Sequence, residues 1–156
     1  MTAVSIAPRP RPGLLCIYRD AIALTERIPL SLIQLGARVG VGMIFWQSAQ
    51  TKLASWPVTL QLFAFEYRVP LIDPGSAAAM ATAAELTGAV LLFLGLFARL
   101  GAFTLLGVVT VIQLFVYPSH WAEHLLWASA LFLVLARGAG AISLDRLASS
   151  LFDRRR

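Results

Sequence analysis

Four stretches of this 156-residue chain are apolar for long enough to cross a membrane. They cover about residues 29–53, 76–97, 100–117 and 119–136. A helix rises about 1.5 Å per residue, so roughly 20 apolar residues span the ~30 Å hydrocarbon layer. The chain is 58% hydrophobic and 13% charged, with mean hydropathy +0.76, whereas a soluble domain is about 25% charged. The sequence therefore predicts an integral membrane protein with one domain, residues 29–137, that contacts the lipid bilayer.

The connections between these stretches predict the architecture. Ala98-Arg99 and Pro118-Ser119 leave almost no loop, so the helices on either side of each must be antiparallel neighbours. Ser76 is the expected N-cap of the second span. The loop 54–75 mixes aromatic and charged residues, which is typical either of a partly helical segment at the membrane interface or of a loop anchored by its aromatic rings. The predicted fold class is an all-α, up-down-up-down bundle of four transmembrane helices.

The distribution of basic residues predicts the orientation. Ten arginines lie in the two tails, 1–28 and 138–156, and at Arg99 and Arg137, whereas the opposite side has only Lys52 and Arg68. Cytoplasmic loops carry the excess of Lys and Arg, so both termini are expected in the cytoplasm. Because these residues flank the apolar stretches and form no single patch, the net charge of +5 does not indicate nucleic-acid binding. Within the first tail, the sequence of residues 14–28 predicts either a short amphipathic helix on the membrane surface or a mobile leader.

Two charged residues, Arg38 and Glu85, lie near the middle of the first and second stretches. A charge at bilayer depth is costly, so such residues usually face the protein interior and mark function. Each lies about nine residues, or ~14 Å, from one end of its span, which predicts an ion pair between neighbouring helices. The pair either takes part in catalysis, by relaying protons or holding a polar ligand head, or only fixes the helix register.

Further polar residues lie in the predicted outer half of the bundle. Ser48 and Lys52 follow Arg38 at helical spacing and share its face. Gln113 lies near the end of the third span and His124 near the start of the fourth. These residues predict a pocket that opens to the outer side, in which Ser48, Lys52, Gln113 and His124 contact a cofactor.

The start of the fourth span spells H-x-x-E-H with His120, Glu123 and His124, a pattern found in some zinc peptidases. Histidines at i and i+4 share a helix face and can share a metal. No third ligand is evident, however, so the spacing alone does not predict a metal site. The other interpretation is a single His124 that accepts a proton or binds a ligand oxygen.

Intrinsic redox motifs are missing from the sequence. Cys16 is the only cysteine, so neither an internal disulfide nor a CxxC pair exists, and no haem-attachment motif or phosphate-binding loop is present. A redox role would require a bound cofactor, most simply a membrane quinone, or a partner protein.

Three segments resemble the DoxX family of small four-helix bacterial membrane proteins: FWQSAQTKL at 45–53, AAELTGAVLLFLGLFARLGA at 83–102 and HLLWASALFLVLARGAGAISLDRL at 124–147. The likeness covers about 33–147. Lys52, Glu85 and Arg99 fall on recurring family positions, and His124 matches one subgroup. The resemblance implies a multi-pass protein of the bacterial cytoplasmic (inner) membrane with a redox association, since the family is named after a subunit of a thiosulfate:quinone oxidoreductase. Without a sulfur-handling cysteine, thiosulfate is not predicted as its substrate.

Two functions follow as hypotheses. The first is a membrane subunit of a quinone-linked oxidoreductase, with Arg38 and Glu85 as the polar floor of the pocket. The alternative is a non-enzymatic anchor or assembly factor for a partner complex in metal or oxidative-stress response. A small-solute carrier is disfavoured because the spans show no broken helices. The identity of a protein partner and the formation of homo-oligomers stay open.

Overall fold

The computed structural model describes residues 13–153; the predicted tail residues 1–12 and 154–156 lie outside this range. All regular structure within it is helical, which confirms the all-α class for this part of the chain. The helices are α1 (Leu14–Thr25), α2 (Leu30–Ala54), α3 (Trp56–Leu62), α4 (Pro74–Leu94), α5 (Ala98–Val111), α6 (Trp121–Arg137) and α7 (Leu144–Asp153). Two π-helical turns, Phe63–Tyr67 and Ile112–Val116, continue α3 and α5.

Four helices enclose the core. Helix α2 packs against α4 and α6, and α5 packs against the same two helices. Phe45, Leu92, Leu105 and Leu131 are fully buried between them. The outer faces are also apolar, with exposed large side chains on every one of these helices. Because soluble monomers rarely expose such extensive apolar surface, the helices are suited to contact with a lipid bilayer.

Two helical segments are long and apolar enough to cross a membrane on their own: Pro74–Leu94 and Ala98–Val116. Helices α1 and α2 meet the same criterion together, but they are bent by 64° at the break between them. Helix α6 has 17 residues. Length and composition thus identify two or three candidate spans among residues 13–153, and the four-span arrangement with cytoplasmic termini stays a prediction.

The register of α2 against α4 overturns the predicted depth of Arg38. A Cβ atom at Gly95, just past the end of α4, would overlap Arg38 Nη1, while Lys52 contacts Glu85. The two helices are therefore antiparallel, and Arg38 lies level with the end of α4. Glu85 is ten residues away along α4, or about 15 Å. The prediction of equal depth is wrong because the first two turns of α2 extend beyond the end of α4.

The connection between α4 and α5 is Gly95–Phe97, and not Ala98-Arg99 as expected. Gly95 adopts a left-handed conformation with φ of 60°, which a residue without Cβ accommodates readily. The Asp145 carboxylate accepts hydrogen bonds from the amides of Phe97 (2.8 Å) and Ala98 (3.3 Å). A residue near the C-terminus thus caps α5, which a reading of the local sequence could not show.

The N-cap of α4 is Asp73, and the prediction of Ser76 is wrong. Asp73 accepts hydrogen bonds from the amides of Gly75 (3.2 Å) and Ser76 (2.8 Å). Pro74 occupies the first helical position, where its missing N–H is harmless. The helix therefore begins two residues earlier than the sequence suggested.

Both ends of the described chain and the 54–75 loop contain helices. The segment 14–28 holds α1, which has no buried residues, and α3 with its π-helical turn confirms the partly helical interpretation of the loop. Helix α7 occupies the segment expected to be a basic tail.

The glycines divide into two groups. A Cβ at Gly88 would come within 2.6 Å of Leu105, and one at Gly101 within 3.0 Å of Leu91, so both allow α4 and α5 to approach closely, as expected of small residues between membrane helices. Gly36, Gly40 and Gly107 face open space within this chain.

Candidate functional site

A cavity of about 530 Å³ lies between α2, α4, α5 and α6, beside the π-helical turn that follows α3. This volume falls within the range of small-molecule sites, ~300–1,000 Å³. Its walls are mainly apolar. Of the residues predicted for the pocket, Ser48, Lys52, Glu85 and His124 line it. Gln113 contacts His124 from behind, and Arg38 does not take part.

Lys52 and Glu85 form a closed ion pair at the cavity wall. Lys52 Nζ lies 2.9 Å from Glu85 Oε1, 2.8 Å from Oε2 and 2.7 Å from Ser48 Oγ. All three ammonium hydrogens therefore have acceptors. The side chains are 15% and 2% exposed, so the carboxylate is almost fully withdrawn from solvent. The predicted Arg38–Glu85 pair is wrong, because α2 presents Lys52 at the level of Glu85.

Helix α3 supports the lysine from the backbone side. Thr59 Oγ1 donates a hydrogen bond to the Lys52 carbonyl (2.8 Å) and to that of Ser55 (3.2 Å). Thr59 is itself buried. Carbonyl groups in the last turn of α2 have no donor within that helix, so the bond to the Lys52 carbonyl supplies one and fixes the backbone that carries Lys52.

His124 and Gln113 form the second polar pair. Gln113 Nε2 donates to the Pro118 carbonyl at 2.8 Å, which leaves its Oε1 to accept. His124 Nδ1 lies 2.6 Å from that oxygen and must be the donor. Neutral His124 then keeps its lone pair on Nε2, because a neutral imidazole carries a proton on one nitrogen only. A ring that lines the cavity can thus accept a hydrogen bond from a ligand.

Gln113 owes its position to the π-helical turn Ile112–Val116. Such turns inside α-helices occur frequently at functional sites. The matching turn Phe63–Tyr67 faces it, and Tyr117 Oη donates to Glu66 across the gap at 2.9 Å. The two irregular segments are thus tied together beside the cavity. The sequence contained no signal for either turn.

Aromatic rings extend this side of the site. Tyr67 and Tyr117 meet edge to face with centroids 5.9 Å apart, and Tyr117 and His120 do so at 5.4 Å. His124 and Trp127 follow at 5.1 Å. Neither Tyr67 nor Tyr117 was predicted to belong to the site; the clustering of aromatic residues in the 54–75 loop was the one available signal.

The H-x-x-E-H residues line the cavity together. His120 precedes the first turn of α6, and its ring centroid lies 6.3 Å from that of His124. Residues 13–153 contain no group of three or more His, Cys, Asp or Glu placed to hold a metal ion. His120, Glu123 and His124 therefore contribute polar groups to the lining.

The cavity opens sideways between α4 and α5. Near the Gly95–Phe97 turn the two helices touch through Gly88 and Leu105, but farther from the turn their side chains line the cavity instead. Met80 on α4 is 61% exposed and Gly107 on α5 has open space beside its Cα, yet both line the cavity. The interior is thus reachable from the apolar flank of the helices.

Arg38 belongs to a separate cluster at the other end of α2. Its Nη2 donates to the Ile142 carbonyl at 2.6 Å. One turn earlier, Gln34 Nε2 donates to the carbonyls of Arg137 (3.1 Å) and Gly138 (3.0 Å). Arg38 is 1% exposed, and its Nε and Nη1 have no hydrogen-bond partner among the described residues. These contacts hold the segment after α6 against α2.

More than half of the chain matches a known protein family. A family model described as DoxX matches residues 33–118, more than half of the chain. The match includes Ser48, Lys52, Glu85 and Gln113, while His124 lies beyond it. No curated protein and no solved structure matches the chain.

Proposed function

The chain belongs to the DoxX family, and on this basis we propose that it is a membrane subunit of a redox system that binds quinone or quinol in the cavity. The observation that carries the proposal is the cavity itself. It combines apolar walls and a sideways opening with two buried polar pairs, Lys52–Glu85 and His124–Gln113. A quinone likewise combines a polar part, its ring, with an apolar part, its isoprenoid tail.

The polar groups match the two redox forms of such a ligand. His124 Nε2 is a hydrogen-bond acceptor in the neutral ring, which suits a quinol hydroxyl. Lys52 Nζ is a donor that can exchange Ser48 for a quinone carbonyl while it keeps Glu85. Glu85, fixed by Lys52, adds a proton acceptor in the cavity wall. These residues would bind the ring and receive its protons, while a partner protein would exchange the electrons.

The membrane arrangement belongs to the same proposal. Four spans, formed by α2, α4, α5 with its π-helical turn, and α6, would cross a bacterial inner membrane with both termini in the cytoplasm. The excess of arginine at the Gly95–Phe97 end supports this orientation. The cavity would then lie in the outer half of the bilayer, and quinone would enter it between α4 and α5 without leaving the lipid.

The experiment compares two glycines that both face open space. Gly107 lines the cavity and Gly36 does not. The wild-type protein and its Gly36→Leu variant, purified gently and examined by native mass spectrometry, should retain about one quinone per chain. Gly107→Leu should retain far less, because the new side chain occupies the opening. Wild-type protein without quinone, when prepared from quinone-containing membranes, would contradict the proposal.

A second candidate function is an anchor or assembly factor for a partner complex. It is favoured by the outward-facing pair Gly36 and Gly40 on α2, whose spacing is that of membrane helix contacts. Copurification of a membrane protein that Gly40→Leu abolishes, from preparations without quinone, would support this function over the first.

A further inference from the structure

A second concave surface lies at the end of the bundle where α4 turns into α5. This groove, of about 660 Å³, is formed by the start of α5, the segment 138–143 and α7. Arg99, Arg137 and Arg146 all line it. Asp145 is the one acidic residue in the lining. The groove thus has three cationic side chains drawn from three different helices.

The carboxylate of Asp145 forms no ion pair with these arginines within the described residues, so three positive charges face one negative charge in the groove. Both of its oxygens accept hydrogen bonds from backbone amides, those of Phe97 and Ala98. Among the described residues, the guanidinium groups of Arg99, Arg137 and Arg146 have no side-chain acceptor. In the part of the chain that the structure describes, these donors therefore have no side-chain partner, and they lie in a concave surface that an anion can enter.

The surroundings of the arginines are apolar. Phe97 and Leu100 line the groove and are largely exposed. Helix α7 is strongly amphipathic, and exposed Leu144, Leu147 and Leu151 follow one another at helical spacing along it. A free phosphate ion would use the arginines alone, whereas a phospholipid would use both the arginines and the apolar side chains.

We propose that this groove binds an anionic phospholipid, with the phosphate held by Arg99, Arg137 and Arg146 and an acyl chain against Phe97 and Leu100. Planar guanidinium groups bind phosphate oxygens in a bidentate manner, and basic pockets at the ends of membrane helices are suited to anionic headgroups. The exposed leucines of α7 would rest on the membrane surface beside it. The proposal does not depend on the ligand of the main cavity.

The experiment measures lipid binding to the full chain in detergent by native mass spectrometry. Phosphatidylglycerol is compared with phosphatidylcholine of the same acyl chains. One juxtamembrane arginine changes the binding of anionic lipid about fivefold. Changing Arg99, Arg137 and Arg146 together to Gln should therefore remove the preference for phosphatidylglycerol. The matched control changes Arg19, Arg27 and Arg68 to Gln, which removes the same charge elsewhere and should preserve the preference.

A second pair of variants leaves all arginines in place. Ser149 lines the groove, whereas Ser150, also exposed on α7, does not. Ser149→Glu should weaken phosphatidylglycerol binding several-fold more than Ser150→Glu. Equal effects of the two variants, equal binding of both lipids to the wild type, or equal losses in the two triple variants would overturn the proposal. Displacement of the lipid by millimolar inorganic phosphate would also contradict it, because the acyl contacts would then contribute nothing.

Discussion

The buried pair Lys52–Glu85 gives the sharpest energetic prediction. Its three hydrogen bonds of 2.7–2.9 Å and the 2% exposure of the carboxylate place it among buried ion pairs. Removing one partner of such a pair costs about 3–5 kcal/mol, because the other charge stays buried alone. Lys52→Met and Glu85→Leu should each lower the free energy of unfolding by that amount.

The double variant should behave differently. Replacing a buried ion pair by apolar residues of similar volume is often neutral or stabilising, so Lys52→Met with Glu85→Leu should lie within about 1 kcal/mol of the wild type. The assay is reversible unfolding in mixed micelles, followed by circular dichroism. Arg38→Met combined with Glu85→Leu is the control. Because Arg38 contacts the segment after α6 and not Glu85, the effects of Arg38→Met and Glu85→Leu on the free energy of unfolding should add.

The size of the loss in unfolding free energy shows whether the pair is shielded from water or reached by it. Hydrogen bonds between membrane helices contribute on average about 0.6 kcal/mol. Losses of only about 0.6 kcal/mol in the two single variants would mean that water reaches both groups. The pairing would be refuted if the double variant lost as much unfolding free energy as the two single variants together. Energetic coupling between Arg38 and Glu85 would refute it as well.

Three further predictions concern other parts of the fold. Gly95→Ala should lower the free energy of unfolding by at least about 1–2 kcal/mol, since its left-handed conformation disfavours a Cβ and that atom would overlap Arg38; an unchanged value would contradict this turn. Arg38→Met should increase amide hydrogen exchange around Ile142, whose carbonyl loses its donor, while exchange in α5 changes little. The pKa of Asp73 is lowered by hydrogen bonding with Ser76 and with the amides it caps. The contribution of this carboxylate to stability is therefore complete above its unfolded pKa and is lost as the pH falls through its folded pKa. Asp73→Asn should keep the cap and remove this pH dependence in thermal melts.

Much of the fold could be predicted because it depends on local properties. Apolar length and Pro or Gly at the ends located α2, α4, α5 and α6 to within a few residues. Helical spacing also predicted correctly that Ser48 and Lys52 share a face of α2 with Arg38. The pocket residues Ser48, Lys52, Glu85 and His124 were identified because polar groups are rare in apolar helices.

The errors concern how helices lie against one another. The depths of Arg38 and Glu85 were counted from helix ends assumed to be level, but α2 extends about two turns past α4. Asp145 caps a helix that begins 47 residues earlier, and α7 follows a glycine-rich segment that reads as a tail. The π-helical turn at Gln113 depends on packing against its counterpart at Phe63–Tyr67. Contacts between distant segments of this kind leave no periodic signal in the sequence.

The most direct test of the proposed ligand site is photolabelling with a light-activated quinone in native membranes, followed by peptide mapping. Adducts should fall on residues that line the cavity, such as Met80, Val111 and Trp127, and unlabelled quinone should suppress them. Labelling confined to outward-facing side chains such as Phe103 and Phe132, which excess quinone does not suppress, would contradict the account.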